Sequence, residues 1–201
     1  RLREAYRRVI KLTMIVTFAC MLGLAAIAKP LIILLIGEKW LPAVPFLQII
    51  CFSGMLYPLH AINLNILQVK GRSDLYLKLE IIKKIIAVIT IFIGIFWGIE
   101  CMLWGGVFVS FISFFLNSYY SADLIDYSTK NQISDIFPFL IISLIVSFCI
   151  WLISFTEWSY IIILIIQIIV GIGLYWFISE KLPIQEYQEV RQLVFSLFKK
   201  K

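Results

Sequence analysis

Six stretches of this chain stay apolar for roughly the thickness of a membrane, and that recurrence constrains the fold more than any motif does. A hydrocarbon core takes about 20 residues of helix to cross. Residues 9–36, 43–69, 75–97, 101–124, 136–155 and 158–178 each supply that length. In hydrocarbon every backbone N–H and C=O must find its partner within the element, so apolar runs joined by short links read as helices. The expected fold class is all-α, a polytopic transmembrane helical bundle of about six spans. Composition agrees, since 62% of the residues are hydrophobic and 15% charged, whereas soluble domains carry about a quarter charged residues. The runs are too many and too long for a cleavable signal.

The links are short except for residues 125–135, the longest and most polar, which is the natural place for a boundary between the first four spans and the last two. Within the first span, Pro30 removes a helical hydrogen bond and clashes with the preceding turn, so a kink or break is expected there. Beyond the sixth span, Tyr187, Val190, Val194 and Leu197 fall on one helical face ahead of Lys199, Lys200 and Lys201. That pattern predicts a basic amphipathic helix lying on anionic headgroups. The chain opens on Arg1, and the expectation is the C-terminal part of a longer protein.

A net charge of +6 raises the question of nucleic acid. The basic residues, however, cluster at the ends of apolar segments and are not interleaved with stacking aromatics, so the partner they imply is the lipid bilayer, with no nucleic acid. Of the 18 lysines and arginines, all but Lys29 and Lys39 fall on one side of a six-span topology. Positive residues mark the cytoplasmic side, which puts both ends of this segment inside. Cys20, Cys51, Cys101 and Cys149 show no Cys-x-x-Cys pair and no metal-like spacing, and read as small core hydrophobes.

Polar residues inside spans carry the functional signal, because they normally face other helices or a wet cavity. In the second span His60, Asn63 and Gln68 lie within about 140° of one helical face, with Asn65 off that stripe. They fit a cavity lining that contacts sugar hydroxyls or relays a proton through His60. They equally fit interhelical hydrogen bonds that hold a bundle together. The third span places Glu80, Lys83 and Lys84 inside the cytoplasmic boundary, with Glu80 and Lys84 spaced for an ion pair. These lysines can snorkel to headgroups, or face a cavity and attract a phosphate-bearing substrate with help from Arg72 in the preceding turn. The fourth span carries Ser110, Ser113, Asn117 and Ser121 as one stripe, facing protein or water. The candidate substrate-binding residues are thus Arg72, Lys83, Lys84, His60, Asn63, Gln68, Ser113 and Asn117.

The sequence offers no Walker lysine, no glycine-rich phosphate loop, no His/Cys metal cluster and no serine or cysteine nucleophile with a base. No catalytic residue, metal site or cofactor is expected.

The run AKPLIILLIGEKWLPAVPFLQIICFSGMLYPLHAINLNILQVKGRSDLYLKLEIIKKI resembles bacterial polysaccharide exporters of the O-antigen (lipopolysaccharide biosynthesis) flippase type, in the superfamily that also holds the multidrug and toxin extruders. The matching pattern is Pro30, an apolar run, Gly37-x-Lys39-Trp40, a polar span, and the Gly71-Arg72 turn before an amphipathic helix. It covers about residues 1–86. Such proteins have two bundles of six helices and, in many members, two extra C-terminal helices. The resemblance then implies that residues 1–124 are the last four helices of the second bundle, residues 125–180 the extra pair, and residues 181–201 a cytoplasmic basic tail. It implies an activity too: moving undecaprenyl-diphosphate-linked oligosaccharide from the cytoplasmic to the periplasmic leaflet of the bacterial inner membrane, driven by an ion gradient. Lipid-linked oligosaccharide would be one partner, and a polysaccharide polymerase or assembly protein another. A drug antiporter of the same fold and a membrane scaffold for polysaccharide assembly are the competing readings.

Overall fold

The computed structural model describes residues 2–181; the expected tail helix lies outside the described residues. In order, the chain forms α1 (Leu2–Ala26), α2 (Ala28–Ile36), a 3-10 turn (Glu38–Ala43), α3 (Val44–Gly54), α4 (Tyr57–Val69), α5 (Ser73–Trp97), α6 (Ile99–Ile125), α7 (Thr129–Leu152), a second 3-10 turn (Ile153–Phe155) and α8 (Tyr160–Lys181). The all-α bundle is as expected. Among the described residues five helical segments are long and apolar enough to cross a membrane. The sixth expected span, α5, is equally long at 25 residues, but Lys78, Glu80, Lys83 and Lys84 load its first half with charge.

Prolines decide where the spans break. Pro30 has no N–H to offer the carbonyl of Ala26, and α1 ends at that residue before α2 resumes. The second span departs from expectation: it is two helices and not one. Pro58 cannot donate to Gly54, so α3 stops there and α4 starts after the turn at Met55 and Leu56. At the far end of α5, Gly98 takes φ +93°, which bulkier residues rarely adopt, and so caps α5 while opening α6.

α1 buries a stripe of Tyr6, Ile10, Met14, Phe18 and Leu22, one residue per turn, against Leu56 of the α3–α4 turn, Leu59 of α4 and Ile136 and Phe139 of α7. Lipid tails are as apolar as these side chains, so burial alone does not select partners inside a bilayer; close approach and hydrogen bonds do. Gly94 and Gly105 permit close approach of α5 and α6: a Cβ on Gly94 would stand 2.7 Å from the Met102 Cβ, and one on Gly105 3.0 Å from the Thr90 Cβ.

At the end of the bundle holding the N-terminus of α1, Arg7 grips Asp135 of α7 in a fork, Nε to Oδ2 and Nη2 to Oδ1, both at 2.5 Å. Lys11 adds a second cation at 3.6 Å, and Tyr127 donates to Asp135 Oδ2 at 2.6 Å. Burial, then Asp135, pushes the Tyr127 phenol well above its ordinary range, so it stays a donor. The cysteines only partly follow expectation: Cys51 is buried, whereas Cys20 and Cys101 are exposed on apolar outer faces and Cys149 is intermediate.

Candidate functional site

The eight candidate residues separate into three places. Asn63, fully buried, is the hub of a hydrogen-bond knot joining four helices. Its Oδ1 accepts from Tyr6 of α1 at 3.1 Å, Ser121 of α6 at 2.6 Å and Gln132 of α7 at 3.1 Å. Its Nδ2 donates to Gln132 Oε1 at 3.1 Å and to the Leu59 carbonyl at 2.9 Å. Every polar atom of this amide is used.

His60, one turn earlier on α4, is turned about 60° around the helix from Asn63, toward α5 and α6, with Lys83 in electrostatic range and Asn117 at its backbone carbonyl. Asn117 is fully buried and donates through Nδ2 to the His60 carbonyl at 3.5 Å. The imidazole interacts with the Ser110 backbone and lies within electrostatic range of Lys83. Lys83 pairs with Glu80; the i,i+4 spacing pointed to Lys84 instead, but Lys84 is turned outward and exposed. Lys83 stands about 22 Å along α5 from the Gly98 turn at 1.5 Å per residue, which in a hydrocarbon core of about 30 Å leaves it about 8 Å inside the opposite boundary. Two side-chain atoms in this cluster, His60 Nε2 and Asn117 Oδ1, are buried without a hydrogen-bond partner. Ser113 and Ser110 are buried on the same face of α6, and Ser110 Oγ donates to the Ser53 carbonyl at 2.9 Å, next to the α3–α4 break.

Arg72, Gln68 and Lys84 are exposed and stand apart from the cluster. Arg72 spends its guanidinium fork on Asp74, with both contacts at 3.1 Å, and that bond raises its already high pKa.

Sequence reasoning passed over two buried glutamines. Gln132, fully buried, falls in the polar link, where an amide attracts no notice. Gln167 is a lone amide in the apolar run of α8, which was the available signal. Its Nε2 donates to the Ile150 carbonyl and to Ser154 Oγ, each at 2.8 Å. Its Oε1 and the hydroxyl of Ser143 have no partner, and both residues line a crevice of about 670 Å³ among α1, α7 and α8.

Comparison with known proteins agrees with the resemblance read from the sequence. The family described as "Polysaccharide biosynthesis protein" matches residues 1–45. Teichuronic acid biosynthesis protein TuaB of Bacillus subtilis (strain 168) is 28% identical over 142 residues, 70% of this chain and 29% of that protein. An uncharacterized membrane protein in the cps region of Klebsiella pneumoniae is 30% identical over 98 residues, 49% of this chain and 20% of its own length. Lipopolysaccharide biosynthesis protein WzxC of Escherichia coli (strain K12) is 29% identical over 94 residues, 47% of this chain and 19% of that one. The matched stretch thus spans less than a third of each relative. No solved structure matches. The chain is a multi-pass membrane protein similar to proteins of polysaccharide biosynthesis.

Proposed function

We propose that this chain is part of a transporter that flips undecaprenyl-diphosphate-linked oligosaccharide from the cytoplasmic to the periplasmic leaflet for surface polysaccharide biosynthesis. The observation that carries the reading is a largely buried lysine, Lys83, inside the inner boundary of a span, in a chain whose relatives bear polysaccharide names. Charged residues at such depth are costly and are kept where they line a path for a polar or charged substrate. Arg72 sits at the inner end of α5, with Lys83 and Lys84 about three turns further along it, so the three cations form a graded entry for a diphosphate. The buried face of α6, with Ser113 and Asn117, then offers hydroxyl and amide groups to sugar. In this reading the protein is a carrier in the bacterial inner membrane, both ends of the segment are cytoplasmic, and no bond is made or broken.

The antiporter alternative calls for an embedded acid to hold a cationic drug. Glu80, the acid that the sequence places inside a span, is paired with Lys83 and so is not free to hold such a cation. Replacing Lys83 and Lys84 together by glutamine should lower surface polysaccharide several-fold at unchanged protein level. Normal export in that variant sinks the charge role.

A further inference from the structure

The largest buried core of the bundle stops at both proline breaks. It includes Leu22 before the first break and Met55 and Leu56 at the second, but none of the buried residues between 28 and 54; from that stretch the partly buried Phe52 packs against it. The stretch is a helical hairpin. α2, nine residues and about 14 Å long, turns at Gly37 and the 3-10 helix into α3, 11 residues and about 17 Å long. Legs of similar length put the two breaks at a similar depth below the turn. The first break is narrow: Ile27 and Leu31 keep their helical bonds to Gly23 and Ile27, both at 3.1 Å, and what is missing is the N–H of Pro30. The hairpin lies on its neighbours, α2 on α8 and α3 on α1 and α6. Three side-chain hydrogen bonds fasten it, each beside a break. Gln48 Nε2 donates to the Ala25 carbonyl at 3.0 Å, Ser53 Oγ to the Gly106 carbonyl at 3.4 Å, and Ser110 Oγ to the Ser53 carbonyl at 2.9 Å.

We propose that residues 28–54 are a gate: a helical hairpin that tilts as one piece on the breaks at Pro30 and Pro58. A helix bends most readily where a backbone hydrogen bond is already absent, and hinges are built from a few residues at the ends of elements. Both legs meet that condition at the same level, so they can turn together without unwinding either. The fastenings are of the kind that releases, since single interhelical hydrogen bonds in a bilayer are weak. What the hairpin covers follows from α6. Gly106 and Ser110, which hold Ser53, share a helical face with the buried Ser113 and Asn117, so α3 lies over the continuation of that polar face toward the Gly98 end. Tilting the hairpin away uncovers it. In the proposed orientation that end is the outer one, and the gate opens toward the periplasm. What passes through it rests on the flippase reading; the hinging itself does not.

The test is the distance between spin labels at positions 39 and 100, measured by pulsed electron resonance on the full-length protein in lipid nanodiscs with the native cysteines replaced. Position 39 rides on the turn of the hairpin, and position 100 opens α6 at the same end of the bundle. The expected result is two distance populations that collapse to one in Pro30→Ala/Pro58→Ala, where both backbone hydrogen bonds return. Labels at positions 70 and 130, at the other end of the bundle, should give one distance in both proteins. Gln48→Leu frees the Ala25 carbonyl and should enrich the displaced population about threefold, the worth of one interhelical hydrogen bond. A single narrow distance both in the unmodified protein and in Gln48→Leu overturns the gate, as do two populations indifferent to the prolines. Two populations that follow the prolines, in a protein moving no lipid-linked oligosaccharide, support the hinge and count against the flippase. Undiminished flipping by the proline double variant, held in one population, overturns the gate and leaves the flippase standing.

Discussion

At the scale of single residues, Asn63 and His60 are one helical turn apart and have opposite fates. Asn63 gives all its hydrogen-bonding capacity to Tyr6, Ser121, Gln132 and its own helix, whereas His60 keeps one nitrogen unused. Interhelical hydrogen bonds in membranes average about 0.6 kcal/mol each, but removing a shared hub strands several partners at once. Asn63→Leu should therefore cost about 1–3 kcal/mol in thermal or denaturant unfolding. Asn63→Leu combined with Gln132→Leu should cost less than the sum of the two singles by at least about 0.5 kcal/mol, a non-additivity that marks a direct pair. Strict additivity would contradict the knot. That polar residues lie on one side of α4 could be read from their spacing. Which would be consumed by partners could not, because Tyr6 and Gln132 are distant in sequence and look like an interfacial aromatic and a link amide.

At the scale of elements, the departures from expectation lie at α3–α4 and along α5. A helical repeat treats residues 43–69 as one span; the missing N–H of Pro58 opposite Gly54 divides it in two. Pro58→Ala restores that hydrogen bond. It should raise thermal stability and, if the break serves the transport cycle, cut export several-fold at equal protein level; unchanged export would make the break incidental. The contact of α5 with α6 makes a cleaner structural prediction. Gly94→Ala places a methyl 2.7 Å from the Met102 Cβ and should destabilise by about 1–3 kcal/mol, while Gly106→Ala, which meets nothing within 4 Å, should change the melting temperature little. Equal effects would contradict the packing. Gly98, four residues on from Gly94, serves instead as the turn, a role that shows in its φ of +93°.

At the scale of the whole molecule, hydropathy alone made the fold class legible, because hydrocarbon leaves a chain with such runs no other way to satisfy its backbone. The assembly of those helices was less legible. Apolar faces all round give no moment to read, so the docking of α7 along α1 depends on a few polar contacts: the Arg7–Asp135 fork at one end and Asn63–Gln132 further in. The proposed orientation rests on the one-sided placement of the lysines and arginines. A cysteine at position 39 should react with an impermeant thiol reagent from the periplasm, and one at position 72 only after the membrane is opened, in a background with the native cysteines replaced. The reverse pattern would overturn the orientation. The central claim is transport, and reconstitution tests it most directly: the full-length protein in proteoliposomes loaded with undecaprenyl-diphosphate oligosaccharide, with appearance of the sugar in the outer leaflet read by an impermeant probe. The account predicts protein-dependent flipping that falls several-fold when Lys83 and Lys84 are both glutamine; flipping no faster than in protein-free vesicles would contradict it.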